Sequence, residues 1–187
     1  MTAHTPYGRL TGTWKVYLAA ASTAKPTVTS TPGADWTELG PTEGEQSIQF
    51  GGPLVKFYDN DNQGPVKSVR PQEDPSVSFT VVNLTLENYG RIISTLSSVV
   101  DLGSSRELPI ERGATPTRYA LLLKTLTQSP YGLYPDQIYI PIAVNGSEPT
   151  ETRSKGGSPG LACMFHAEVD STQAAGKSLG WREAGDA

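Results

Sequence analysis

Apolar and polar residues alternate with period two along much of the chain, which is the pattern of strands that bury one face. Val77, Phe79 and Val81 interleave with Ser76, Ser78 and Thr80, so a strand over 76–82 has one dry and one wet face. Residues 13–19, 35–39 and 45–50 carry related strand signals. Each stops at a breaker: the small and polar stretch 20–32, then Gly40-Pro41, then Gly51-Gly52-Pro53. Between residues 54 and 70, two β-prone runs flank Asp59-Asn60-Asp61-Asn62-Gln63-Gly64-Pro65, which predicts a hairpin with a long polar tip. Strands are expected again at 119–127, 137–144 and 161–169, with Pro141 marking an edge or a bulge, and a last short one around Leu179 and Trp181.

The period changes once. Leu86, Tyr89, Ile93 and Leu96 recur at helical spacing with Ile92 beside them, Asn83 or Thr85 can cap the start, and Gly103 lies past the end. One helix around residues 84–98 follows. Residues 101–117 and 145–159 read as mobile loops, the first a contact arm, and the N-terminus as flexible. No repeat or linker interrupts the pattern, so residues 1–187 are expected to form a single mainly β domain with one flanking helix.

Composition sharpens this picture. Gly 19 and Pro 15 demand many turns, which suits short strands better than long helices. A net charge of -4 with a pI near 5.2 argues against a groove that grips nucleic acid, which needs clustered Lys and Arg. Cys163 is the sole cysteine and has no internal disulfide partner. With no basic segment and apolar run of signal-peptide length near the start, folding in the cytosol and no membrane partner are expected.

Candidate chemistry is sparse. His4 and His166 are the only imidazoles. Cys163 and His166 stand three apart on an expected strand, so they face opposite sides of the sheet: a buried Cys163 and an outward His166, with no metal site. Asp59-Asn60-Asp61-Asn62 has the oxygen side chains a hard cation wants, yet Arg70 occupies the position of the closing bidentate Glu, and no helix pair flanks it. A turn tip is the reading. Glu38, Glu43, Glu45, Glu168 and Asp170 have no spacing that fixes a separation for acid and base, so they read as solvated positions. No catalytic residue and no cofactor is assigned. A carbohydrate- or partner-binding β-sandwich module is the alternative from another class, with Trp14, Tyr58, Tyr131, Tyr134 or Trp181 as stacking platforms.

The order of pieces resembles the major tail, or tail tube, proteins of long-tailed bacteriophages. Residues that carry the resemblance are Val16-Tyr17-Leu18-Ala19, then 31–40, then the strand 42–50. After them come the hairpin from Val55-Lys56-Phe57-Tyr58 through Gly64-Pro65-Val66-Lys67-Ser68-Val69, and Ser76-Val77-Ser78-Phe79-Thr80-Val81-Val82 running into Glu87-Asn88-Tyr89-Gly90-Arg91-Ile92-Ile93. Residues 12–100 are covered well and 119–169 loosely. The resemblance implies a β-sandwich or barrel-like core with the helix on its flank. It also implies a virion protein, made in the host bacterial cytoplasm, whose copies close hexameric rings and stack into a tube. The partners it implies are further copies of the chain, a tape-measure protein, a tail terminator, and baseplate or distal tail proteins. DNA would pass through the bore without specific contacts, and a bore lined by carboxylates would let it slide. Glu43, Glu45, Glu168 and Asp170 are the expected channel-lining positions. Asp59, Asn60, Asp61 and Asn62 on the hairpin, with Arg106, Glu107, Glu111 and Arg112 in the following loop, are the expected contacts between subunits or rings. A terminator or other head-to-tail ring protein is the alternative within the same class.

Overall fold

A computed structural model describes residues 14–184, except 96, 97, 112, 114, 126–134, 154, 156 and 158. The described residues are mainly β with one helix. The principal strands are β1 (Lys15–Ala20), β2 (Thr37–Glu38), β3 (Thr42–Gly51), β4 (Val55–Phe57), β5 (Lys67–Val69) and β6 (Asp74–Val81). After helix α1 (Leu86–Ile93) come β7 (Val100–Asp101), β8 (Arg106–Glu107), β9 (Arg118–Lys124), β10 (Asp136–Asn145), β11 (Thr150–Thr152), β12 (Gly160–Ala167) and β13 (Trp181–Ala184). Nine of them form one antiparallel sheet in the order β2-β1-β9-β10-β12-β6-β3, with β11 on β12 and β13 on β10.

The sheet is rolled. Trp14, directly before β1, and Gln46, in β3, lie near opposite ends of the strand order, yet they are hydrogen-bonded. The Gln46 amide receives the Trp14 N–H at Oε1 and donates from Nε2 to the Trp14 carbonyl, each at 2.8 Å. A side-chain amide thereby imitates a backbone rung where the register of β3 shifts between Glu43 and Ser47. That shift frees Gln46 from the ladder and aims it across the seam.

Inside the roll sits the main core. Val16 and Leu18, Leu121 and Leu123, and Ile138 and Ile140 face Val77, Phe79 and Val81 together with Leu161, Cys163 and Phe165. Phe79 and Phe165 stack at 5.8 Å. Alternate residues on β1, β9 and β10 build a second cluster on the outer face, from Tyr17, Ala19, Ala120, Leu122 and Tyr139 with Trp36. Double-sided burial explains why Leu121-Leu122-Leu123 runs apolar without alternation. Pro141 lies in the irregularity between Ile140 and Ala143, where β10 passes from β13 to β12. The missing N–H of proline suits that break.

The helix is shorter than expected. Thr85 is its N-cap and accepts from the Asn88 N–H, but the helix ends at Ile93 and its C-cap Ser94 adopts a left-handed conformation with φ 55°. Leu96 lies outside the described residues, and Gly103 serves instead in the β7–β8 turn, at φ 81°. Buried Asn88 donates to the Leu39 carbonyl and buried Asn145 to the Ile92 carbonyl, so polar side chains dock both ends of α1. Segments 101–117 and 145–159 are not pure loop: β7 pairs β8 and β11 pairs β12.

Candidate assembly surfaces

Between β3 and β6 the chain leaves the roll as a two-stranded arm. Every residue from 53 to 74 is exposed. Val55 pairs Val69, Lys56 pairs Ser68 and Phe57 pairs Lys67, and the Val66 N–H continues the ladder to the Phe57 carbonyl at 2.9 Å. Gly51 and Gly52 make the root: a Cβ on Gly52 would lie 2.4 Å from the Gln72 carbonyl oxygen, and its φ of 155° suits glycine. Asp59 builds the tip by accepting the Asn62 N–H at 2.8 Å and the Asn62 side-chain amide at 2.9 Å. The oxygen-rich stretch is thus organised as a turn, with Asn60 and Asp61 exposed beside it.

The arm has no core of its own. Val55, Phe57 and Val69 share one face, and Phe57 is 50% and Tyr58 65% exposed. An isolated hairpin is marginal in water, and burying one Val, Leu or Phe side chain contributes about 1.5–3 kcal/mol. Such a face gains stability only by being covered.

The smaller hairpin β7–β8 projects Val100 and Leu102, with Ile110 following, all exposed. Arg106 forms an ion pair with Glu87 of α1, so this contact residue is engaged within the chain. Glu107 stands opposite Val100 and is exposed, as is Glu111, whose carbonyl accepts from the Thr95 hydroxyl. Arg112 lies outside the described residues.

The four expected channel carboxylates do not converge. Glu43 and Glu45 are exposed at the irregular start of β3, where Glu43 stands opposite Thr80. Glu168 follows β12 at the other end of β6, where His166 stands opposite Ser76, and it pairs with Arg118 at 2.7 Å. Asp170 must be removed from the lining set. It is 2% exposed, and its carboxylate accepts from Ser22, Thr172 and Gln173. The Thr172 hydroxyl and then the Gln173 amide hold it well below the usual carboxylate range. Asp170-Ser171-Thr172-Gln173 holds the local part of this motif, and only the bond from Ser22, in a distant loop, lies beyond sequence spacing.

Other candidates are likewise separated. Cys163 is buried and its Sγ donates to the Phe79 carbonyl, and burial pushes its thiol up to about 12. His166 faces outward, with Nδ1 2.9 Å from Asp74 Oδ1. Among the described residues, no three His, Cys, Asp or Glu side chains gather as metal ligands. Two open hollows of about 320 and 390 Å³ flank Arg91, Thr117 and Tyr119, and the Arg91 guanidinium is bonded to Asn88. Trp14 and Trp181 are partly buried against the two cores, Tyr58 stands exposed, and Tyr131 and Tyr134 lie outside the described residues.

Sequence reasoning missed one polar cluster. Lys124 and Gln137, 1% and 0% exposed, lie on the outer face of β9 and β10 and bind the connection between β1 and β2. Lysine and glutamine inside strands give no local sign of such a role. No protein-family model matches this chain, and no curated protein matches it in sequence.

Proposed function

We propose that the chain is a structural subunit that polymerises, and that the polymer is the tail tube of a long-tailed bacteriophage, built from stacked hexameric rings. The observation that carries the reading is the arm, a projecting hairpin whose every residue is exposed and one face of which carries Val55, Phe57 and Val69 with Lys67 beside them. A monomer gains nothing from such an element, whereas a neighbouring copy that covers it gains apolar burial and a fixed orientation. The rolled sheet with its flanking helix agrees with the core that the resemblance implies. Apart from the Gln46–Trp14 contact at the seam, β3 and β2 end the strand order and can pair with lateral neighbours. Exposed Glu43 and Glu45 remain the lining positions of the proposed bore, with the half-buried, paired Glu168 a weaker one.

Size-exclusion chromatography and negative-stain microscopy of the purified protein test the proposal. Rings or tubes of uniform diameter are the expected result. A monomer that persists at high concentration and retains a glycan would overturn it.

A further inference from the structure

A row of side chains crosses the middle of the sheet. Gln137 of β10 stands directly opposite Lys124 of β9 on one side and Glu183 of β13 on the other. Cross-strand partners share a face, so all of them project outward beside Leu122, Tyr139 and Trp181 of the outer cluster. Lys124 Nζ donates to Gln137 Oε1 at 3.2 Å, and Gln137 Nε2 donates to Glu183 Oε2 at 2.8 Å. Nε2 gives its other hydrogen to the Pro26 carbonyl at 3.1 Å, so partners on both sides fix which end of the amide faces the lysine. The connection between β1 and β2 closes over the row: the Thr27 carbonyl accepts from Lys124 Nζ at 2.7 Å, and Lys25 forms an ion pair with Glu183.

A lysine is rarely buried without a charged partner, because an ammonium withdrawn from water loses its hydration. Lys124 is fully buried and, among the described residues, makes no ion pair. Burial lowers its pKa against the opposing charge of Glu183, which favours the neutral amine, a nucleophile. The bonds from Lys25 and then from Gln137 hold Glu183 below the usual carboxylate range, so it meets the amide as a base. Hydrogen bonding alone needs no such arrangement. An amide with an amine at its carbonyl, a carboxylate at its nitrogen and water shut out has the parts that amide exchange requires.

We propose that Lys124 and Gln137 join in an isopeptide cross-link, with Glu183 as the catalytic residue that carries the proton. The Lys124 nitrogen adds to the Gln137 side-chain carbonyl carbon, which leaves a positive charge on Nζ and a negative one on Oε1. Glu183 takes a proton from Nζ and gives it to Nε2. The Cδ–Nε2 bond then breaks, its electron pair leaves with the nitrogen as ammonia, and a Cδ–Nζ amide remains. Glu183 ends as the carboxylate it was at the start, and nothing is oxidised or reduced. Lys25, near enough to act on Lys124 through its charge, offsets the negative charge that develops on Oε1. The absence of water in the buried row keeps the amide from hydrolysing to glutamate, and escape of ammonia draws the exchange to completion. The product is a covalent rung between two central strands, and it does not depend on the assembly reading.

Intact-mass spectrometry of the full chain, followed over time after synthesis at neutral pH, reads the reaction directly. The wild type is expected to become lighter than its sequence by the mass of one ammonia, and tryptic digestion to yield a branched peptide in which Lys124 and Gln137 are joined. Glu183→Gln replaces a partly exposed carboxylate by its isostere, so the variant should fold and accumulate the branched peptide about 100-fold more slowly. A folded wild type that stays at its full sequence mass overturns the cross-link, and no variant is needed to see it. An ammonia loss that maps to Asn145-Gly146 as a ring-closed succinimide, with Lys124 unmodified, overturns it equally. A branched peptide that forms as fast in Glu183→Gln as in the wild type overturns the role given to Glu183.

Discussion

At the scale of single residues, the fold depends on polar side chains that stand in for backbone. Gln46 satisfies both main-chain groups of Trp14 across the seam of the roll and also donates to the Thr42 hydroxyl. Removing it orphans two partly buried groups at once, so Gln46→Ala is expected to cost about 2 kcal/mol in urea unfolding. Gln46→Glu keeps the acceptor and loses the donor, and should fall between the two. Asp170 and Glu183 make a pH prediction. Hydrogen bonds from Thr172 lower the first, and the bond from Lys25 lowers the second. A depressed folded-state pKa means that the stabilisation is complete above the unfolded value, about 4, and is lost as pH falls through the folded values. Acid titration followed by tryptophan fluorescence should therefore show Trp181 and Trp36 exposed below pH of about 4, and Asp170→Asn should flatten that dependence. Most of these partnerships were not legible in the sequence: Gln46, Lys124 and Gln137 bind groups far along the chain, about which local pattern carries no information, whereas Asp170 is held mainly by the neighbouring Thr172 and Gln173 and only its bond from Ser22 is long-range.

At the scale of elements, legibility followed length. Strands β1, β3, β6, β9, β10 and β12, the arm hairpin and the bulge at Pro141 all announce themselves through period, β-branched residues and breakers. The hairpin β7–β8 and strand β11 hold two or three residues each, too few to display any period, and they lack the polar turn 59–65 that marks the similarly short strands of the arm. The helix overran its true end because the apolar spacing continues to Leu96, whereas the chain turns left-handed at Ser94, a residue with no glycine-like signature. Ser94 is strained twice: its φ is 55°, and its buried hydroxyl has no hydrogen-bond partner among the described residues. Ser94→Gly is expected to stabilise the protein by about 1 kcal/mol in thermal or urea unfolding. Thr85→Ala, which removes the opposite cap, should destabilise by about 1 kcal/mol in the same assay.

At the scale of the whole molecule, the core inside the roll and the exposed arm have separate tasks. Phe165, fully buried and stacked on Phe79, belongs to the core, so truncation to alanine should cost about 3–5 kcal/mol and unfold the chain at moderate urea. The arm is the converse case. Val55, Phe57 and Val69 are exposed and belong to neither core cluster, so changing them to serine should leave monomer stability within about 0.5 kcal/mol. The same change removes the apolar face that the proposed neighbour would bury. Core and arm are thereby separable by experiment.

Sedimentation velocity of the wild-type chain beside the Val55→Ser, Phe57→Ser, Val69→Ser variant, at matched concentration and with thermal unfolding recorded in parallel, probes this separation most directly. The account predicts fast-sedimenting polymers for the wild type, a monomer for the variant, and melting transitions that coincide. Polymerisation of the variant to the same extent as the wild type, or a wild type that stays monomeric throughout, would contradict it.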